Sequence, residues 1–477
     1  MTQTVVQNEQ LRRYVETHHI DMIPAGARHG KPWHQAAFWA GANVNVFNVF
    51  LGGVVVSLGL TFWWAVIAIV AGTLAGALFI ALHATQGPRL GVPQTIQSRA
   101  QFGFYGSAFL FPCVLLLNVG FIAAQLVIQA QSAQGVISSL SIPAWILILA
   151  VPAVVIGIFG YRWIHRVMQV TIVITGLSII VMFIQALRYG SLPAKETAMT
   201  TPTAGLFIAG AALLVIDMLS WAPFVSDYTR YLPVNTSGRR LFWAIYSGNV
   251  IATIAACSVG AYLAALLPSV AVDGPVPAIG KISGKWALVV MALSLINSDT
   301  LNAYTGAFQV LALGNMWRRF KSVSVMLRVV PFICVMAVGV AIAFIGYQHF
   351  VSNLSNFLNV LLVIFIPWSA VNLTDYFLVR RGNYDVTAFF IPDGVYGKFA
   401  WRGLLAYAIG LAAEWPFVSQ LDYTGPLVKD LGGADISWIV GFFVSAIVYL
   451  VLVVSTATET GRHDQVDNRR DKEADDP

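Results

Sequence analysis

Between residues 36 and 455 the chain returns repeatedly to long apolar runs, and no other feature limits its fold so severely. The hydrocarbon core of a bilayer is about 30 Å thick and takes roughly 20 apolar residues per helix. Applied along the chain, that length predicts twelve spans at 36–60, 62–83, 104–134, 142–160, 165–187, 205–230, 240–267, 284–313, 326–346, 354–379, 403–421 and 433–455. Charged residues make up only 10% of the 477 residues, with a mean hydropathy of +0.73. An ordinary soluble domain carries about 25% charged residues.

Basic loop residues set the expected orientation. With the N-terminus inside, the inside segments hold Arg12, Arg13, Arg28 and Lys31, then Arg89 and Arg99, Arg162 and Arg166, and Arg239 and Arg240. Arg318, Arg319, Lys321 and Arg328 follow, and then Arg380, Arg381, Lys398 and Arg402. The outside loops hold little beyond Arg188, Lys195, Lys281 and Lys429. An even span number returns the C-terminus to the cytoplasm, and the charged stretch 456–477 reads as a disordered tail. The polar first residues lack the apolar core of a cleavable signal. Cys113, Cys257 and Cys334 lie in apolar runs without metal-ligand spacing and read as small packing residues. The net charge of +6 belongs to these loops rather than to a nucleic-acid surface. The loop Gly87–Gly106 has two prolines and two arginines and reads either as a capped inside loop or as an inside gate.

The sixth predicted span contains Leu213–Tyr231, LLVIDMLSWAPFVSDYTRY. Pro223 lacks an N–H and its ring clashes with the preceding turn. A break at Ser220-Trp221-Ala222 frees backbone groups that lipid cannot satisfy. It reads either as a proline kink absorbed by neighbouring helices or as a binding site beside Trp221 and Ala222. The first span echoes it, with Trp39-Ala40-Gly41-Ala42-Asn43. Five spans separate the two, so they cross the bilayer in opposite directions, as in an inverted repeat whose first helices are broken around a substrate. The expected organisation is an N-terminal segment 1–35, five-helix repeats 36–187 and 205–379, two extra helices 403–455 and the tail 456–477.

Polar residues within the spans mark candidate sites. Asn43, Asn45 and Asn48 favour non-helical turns, and carbonyls released there suit a cation. Phe121 and Gln125 lie one turn apart on the third span, a ring to stack on a flat ligand and an amide to bond its edge. The eighth span holds Asn297, Ser298, Asp299, Thr300 and Asn302. Ser298 and Asn302 share a face and suit substrate or cation. Asp299 and Asp217 read as proton acceptors or as paired structural carboxylates. Asp227, Arg230, Asp375 and Arg380 sit at span ends, where salt bridges and caps are expected, and Glu414 has no transport role. No HExxH, GxSxG or Walker motif occurs, so neither an enzyme nor an ATP-driven pump is expected.

Several stretches together resemble the nucleobase–cation symporter family one, the purine, cytosine and hydantoin permeases. They are Arg28-His29-Gly30-Lys31-Pro32-Trp33, Gly91–Gly106, Ser226-Asp227-Tyr228-Thr229-Arg230-Tyr231, Asn302-Ala303-Tyr304-Thr305, and Asp375-Tyr376-Phe377 with Arg380-Arg381-Gly382-Asn383-Tyr384. The resemblance implies an all-α integral membrane protein of LeuT-like fold, a 5+5 inverted repeat plus two helices, working by alternating access. It places the family's stacking aromatics on Phe121 and Trp221 and its base-binding amides on Gln125 and Asn302. Its cation site falls on carbonyls near Gly41 and Val44 and side chains near Asn297 and Ser298. The paired hydroxyls of sodium-coupled members are not matched around Ile296-Asn297, which leaves Na+ and H+ as alternatives. The expected activity is import of a purine or pyrimidine base such as cytosine with a co-transported cation. No cofactor, nucleic acid or obligate protein partner is expected, and the expected location is the inner or plasma membrane. Allantoin, hydantoin or a vitamin is the alternative substrate, and a passive channel or a sensor the alternative class.

Overall fold

The computed structural model describes residues 22–159, 161–267, 275–317, 325–420 and 423–474; side chains at 159, 161–166, 168, 325–328 and 456–474 are outside the description. Of the basic residues used for orientation, Arg12, Arg13, Arg318, Arg319 and Lys321 lie outside the described residues, as do the side chains of Arg162, Arg166 and Arg328.

The regular elements of the described chain are helices apart from one two-stranded hairpin, Ser419–Gln420 with Tyr423–Thr424. Among the described residues, eight helices are long and apolar enough to cross a membrane, nine if the bent pair Pro32–Asn43 and Val46–Ser57 is one span. Trp401–Glu414 is 14 residues long, and Val329–Val379 is one 51-residue apolar stretch despite the 3-10 turn Tyr347–His349. The last helix, Ser437–Ala474, runs on into the stretch 456–477 expected to be disordered, of which 475–477 lie outside the described residues. Extending a nucleated helix adds one hydrogen bond per residue without a new nucleation cost, and Arg, Lys, Glu and Ala sustain it.

Two groups of helices organise the rest. Spans one, two, six and seven form one group, and spans three, four, eight and nine the other. The members of each group are related by an offset of five, as two inverted halves require. Inside the first group glycines let backbones approach closely. A Cβ at Gly52 would lie 1.9 Å from the Cys257 carbonyl oxygen, and one at Gly260 would lie 1.7 Å from that of Val49. At the crossing of spans two and six, a Cβ at Gly72 would meet the Ala211 oxygen at 2.1 Å. Small residues at helix crossings are how membrane helices gain van der Waals contact without help from water. Cys257 is buried as expected, whereas Cys113 is half-buried and Cys334 exposed.

The loop Gly87–Gly106 folds into three short helices, Gln86–Leu90, Gln94–Gln97 and Arg99–Phe102, and is largely buried. Its amides join a polar network at one end of the molecule. Gln94 Nε2 bonds Gln86 and its backbone N–H donates to Asp227, while Gln86 donates to Asn372. Arg99 donates to the Phe389 carbonyl at 2.8 Å and lies over the Phe104 ring, and burial pushes its guanidinium down to about 10. Asp375 begins a π-helical turn, Asp375–Val379, and is fully buried. Its carboxylate accepts from Gln101, Arg380, Tyr384 and Tyr449 at 2.7–3.2 Å. Asp227 and Asp375 therefore have the capping and salt-bridging roles expected of them. Arg28 reaches the Pro88 carbonyl at 2.6 Å, so the segment before the first span straps the same end.

Candidate functional site

The first span opens at Val44-Asn45, where its two halves meet at a bend of 58°. In a continuous helix the N–H of Asn45 would bond the Gly41 carbonyl and that of Asn48 the Val44 carbonyl. Here Asn45 N bonds Asn43 O at 2.9 Å, and Asn48 N bonds the Asn45 side-chain oxygen at 2.8 Å. The asparagine side chains satisfy the carbonyls between. Asn45 Nδ2 donates to Ala42 O and Asn48 Nδ2 to Asn43 O, while Asn43 Nδ2 donates to Trp39 O and to Asn249 of the seventh span. The Ala42 and Asn43 carbonyls also leave the helical ladder but are taken up by these side chains, so among the described residues those of Gly41 and Val44 are the carbonyls at the break without a donor.

The sixth span breaks after Leu219. Trp221 N bonds Met218 O in a tightened turn, and Ala222–Phe224 forms a 3-10 turn before helix resumes at Val225–Thr229. Pro223 brings no N–H to the Leu219 carbonyl, and Phe224 N turns to Trp221 O instead of Ser220 O. Ser220 Oγ takes up the Asp217 carbonyl at 2.7 Å. The helical ladder is interrupted locally, while Ala204–Thr229 still runs as one 26-residue apolar span without the sharp bend of the first span.

Two cavities lie between the breaks. One, of about 20 Å³, is lined by Asn43, Asn45 and Phe47 of span one, Leu117, Phe121 and Gln125 of span three, Asp217, Ser220, Trp221 and Phe224 of span six, and Ser298 and Asn302 of span eight. That volume holds about one water, so the walls are closed on the space a ring would need. The Phe121 ring is held edge-to-face by Phe47 and Phe357, at centroid separations of 5.6 and 5.7 Å. Trp221 meets Trp39 and Phe224 edge-to-face at 5.4 and 5.6 Å. Gln125 Oε1 and Asp217 Oδ2 are buried without a hydrogen-bond partner among the described residues. Asn302 spends one N–H on Ser298 O at 3.0 Å. The cavity therefore offers ring faces and unpaired acceptors.

The second cavity, of about 60 Å³, is lined by Gly41, Val44, Asn45, Thr171, Thr175, Trp221, Ser294, Asn297 and Ser298, among others. Thr175 Oγ1 and Asn297 Oδ1 are buried there without a partner among the described residues. With the released Gly41 and Val44 carbonyls, the donor set is neutral oxygen throughout, the chemistry of a hard cation. Asn45, Trp221 and Ser298 line both cavities.

All four residues expected at a cation site, Gly41, Val44, Asn297 and Ser298, thus line one cavity, and Phe121, Gln125, Trp221 and Asn302 line the other. Ala222 does not join them: its 3-10 turn buries its side chain completely in the core. Asp299 also lies apart, on the face of span eight turned to the third span, where its carboxylate accepts from Gln129. Of the two candidate proton acceptors, Asp217 lines one of these two described cavities and Asp299 lines neither. Thr171 and Thr175 were not expected. They are four residues apart on one face of a helix that also carries Gln169, Ser178 and Gln185, and that spacing is the signal that points to them.

A family model described as permease for cytosine/purines, uracil, thiamine and allantoin matches residues 22–441. A putative purine-cytosine permease of Bacillus subtilis, YxlA, is 33% identical over 448 residues, covering 92% of this chain and 96% of that protein. Two structures of Mhp1 share the fold. The inward-facing form has a TM-score of 0.73 at 18% identity, covering 94% of this chain and 95% of that one. The closed form, titled a nucleobase-cation-symport-1 family transporter with bromovinylhydantoin bound, has a TM-score of 0.70 at 19% identity, covering 94% and 96%.

Proposed function

This chain belongs to the family of permeases for cytosine/purines, uracil, thiamine and allantoin, and we propose that it imports a nucleobase together with a cation by alternating access. It is a multi-pass membrane protein of the LeuT-like fold. The observation that carries the proposal is the pair of cavities meeting at Trp221. The base lies against Trp221 and Phe121, and its edge donors meet Gln125 and Asn302. The cation lies on the other side of Trp221, among the Gly41 and Val44 carbonyls, Thr175, Asn297 and Ser298. Neutral oxygens accept no proton at ordinary pH, so this donor set favours Na+ as the coupled ion.

A second reading has its own observation. Asp217 carries an unpartnered oxygen in the base cavity, and a carboxylate there would take a proton as the base binds. Uptake into proteoliposomes, with a Na+ or a pH gradient imposed separately and a panel of radiolabelled bases, tests both. Accumulation against a gradient that depends on Na+ supports the first reading. Accumulation that follows the pH gradient alone, and is lost in Asp217→Asn, supports the second. Equilibration without accumulation would leave a passive channel or a sensor. Competition by allantoin, hydantoin and thiamine separates the base from other heterocycles. The basic end of the molecule faces the cytoplasm in this proposal, with both termini on that side.

A further inference from the structure

The largest described cavity takes no part in the site between the broken helices. It is an open space of about 740 Å³ at the end of the molecule where the loop arginines gather. Arg89 from the end of span two, Arg239 at the start of span seven and Arg381 just after span ten all line it. All three are exposed, and none has a carboxylate partner among the described residues. The helix Gly238–Ala265 opens at the same place, with no acidic residue in its first turn. Ser237 Oγ caps the Arg240 N–H, and the amino-terminal end of the helix dipole adds positive potential. Thr85 and Asn235 supply further polar groups to the wall. An aqueous anion site needs nothing more, but this cavity has an apolar flank. Phe377 lines it at 39% exposure, Leu378 beside it is 58% exposed, and Trp243, one turn into the helix from Arg239, is 55% exposed. Those side chains belong at the depth where a bilayer's headgroups give way to its acyl chains.

We propose that this cavity seats the anionic headgroup of a membrane phospholipid, its phosphate between Arg89, Arg239 and Arg381 and its acyl chains against Phe377, Leu378 and Trp243. The three arginines come from three spans, two of the group that contains both broken helices and span ten outside it. A bound lipid therefore bridges span ten to that group.

The test uses the full-length protein purified in detergent, with lipid binding read by native mass spectrometry. Palmitoyl-oleoyl phosphatidylglycerol is compared with phosphatidylcholine of the same chains and with inorganic phosphate. A basic residue near an anionic surface contributes about fivefold in affinity, so Arg239→Gln should lower retention of phosphatidylglycerol about fivefold and the triple variant R89Q/R239Q/R381Q about 100-fold. Phosphatidylcholine carries the same phosphate beside a cancelling choline cation, so the wild type should retain it less and the same variants should lower its retention by less. Equal retention of both lipids by the wild type, or undiminished phosphatidylglycerol binding by Arg239→Gln, would overturn the proposal. So would full displacement of phosphatidylglycerol by inorganic phosphate, which would mark a free-anion site. Arg239 is exposed and lies outside the transport site, so its single variant keeps the test decisive even if the triple variant fails to fold.

Discussion

Trp39 and Trp221 meet edge-to-face with ring centroids 5.4 Å apart, one from the first span and one from the sixth. Each stands beside a break in its helix, and the five-span offset relates them. Their surroundings differ. Trp39 is fully buried, with Tyr228 as a further edge-to-face neighbour, whereas Trp221 is half-buried and forms a wall of both cavities. Trp39→Ala should therefore cost the fold about 3–5 kcal/mol, the range for an aromatic truncated in a core. Trp221→Ala should cost less stability and abolish saturable uptake. Melting temperature and uptake measured on the same preparations distinguish the two.

Gln125 Oε1 has no partner among the described residues, so its removal takes no bond from the fold. Gln125→Ala should leave membrane expression intact and weaken base binding by about 1–3 kcal/mol, roughly 5- to 150-fold in apparent affinity. Asn302→Ala should act in the same direction. Unchanged uptake kinetics in both variants would remove these amides from the site.

Thr175 is 2% exposed and its hydroxyl is likewise unpartnered. Replacing a buried, unpaired polar group with an apolar one of similar shape is neutral or stabilising. Thr175→Val should therefore melt at or above the wild-type temperature while requiring more cation for half-maximal uptake. A lower melting temperature with unchanged cation dependence would make Thr175 a packing residue.

Gly52→Ala and Gly260→Ala would put a methyl group within 2 Å of a backbone carbonyl oxygen, and backbone cannot step aside as a side chain can. Overpacking of this kind typically costs about 1–3 kcal/mol or more. Little folded protein should reach the membrane from either variant. Gly190→Ala is the control, since its added Cβ would meet nothing within 4 Å.

Asp375 gathers four donors from the loop Gly87–Gly106, from the segment after span ten and from the last helix. Breaking a fully buried ion pair costs about 3–5 kcal/mol, and the 35% exposure of the Arg380 side chain discounts that toward about 2 kcal/mol. Asp375→Asn should lower the melting temperature, and Tyr449→Phe should do so by less, since it removes a single hydrogen bond.

The break in the first span was legible because three asparagines within six residues have no reason to occupy a helix interior in lipid. Pro223 announced the second break in the same way. The two aspartates were harder. Asp217 and Asp299 carry the same side chain at similar depth, and only the rotation of each helix sends one to a cavity and the other to Gln129. Ala222 was expected at the site through its place beside Trp221, but the 3-10 turn that follows Trp221 carries its side chain into the core. Thr175 was hidden by its chemistry, because a threonine in a membrane helix ordinarily bonds its own backbone one turn back. Thr171 does that, to Val167 O at 2.8 Å, and Thr175 does not. The gathering of loop arginines around one cavity depends on which span ends adjoin, and pairing of distant ends is not written in any local pattern.

The opening at Val44-Asn45 is closed off by the chain's own amides, with Asn45 capping on both sides of it. No cargo is needed to hold it open. In the proposed transport cycle, a ring or an ion arriving there would meet a preorganised seat and lose little of its affinity to ordering backbone. Under that proposal, cargo would exchange without folding or unfolding the peptide that cradles it.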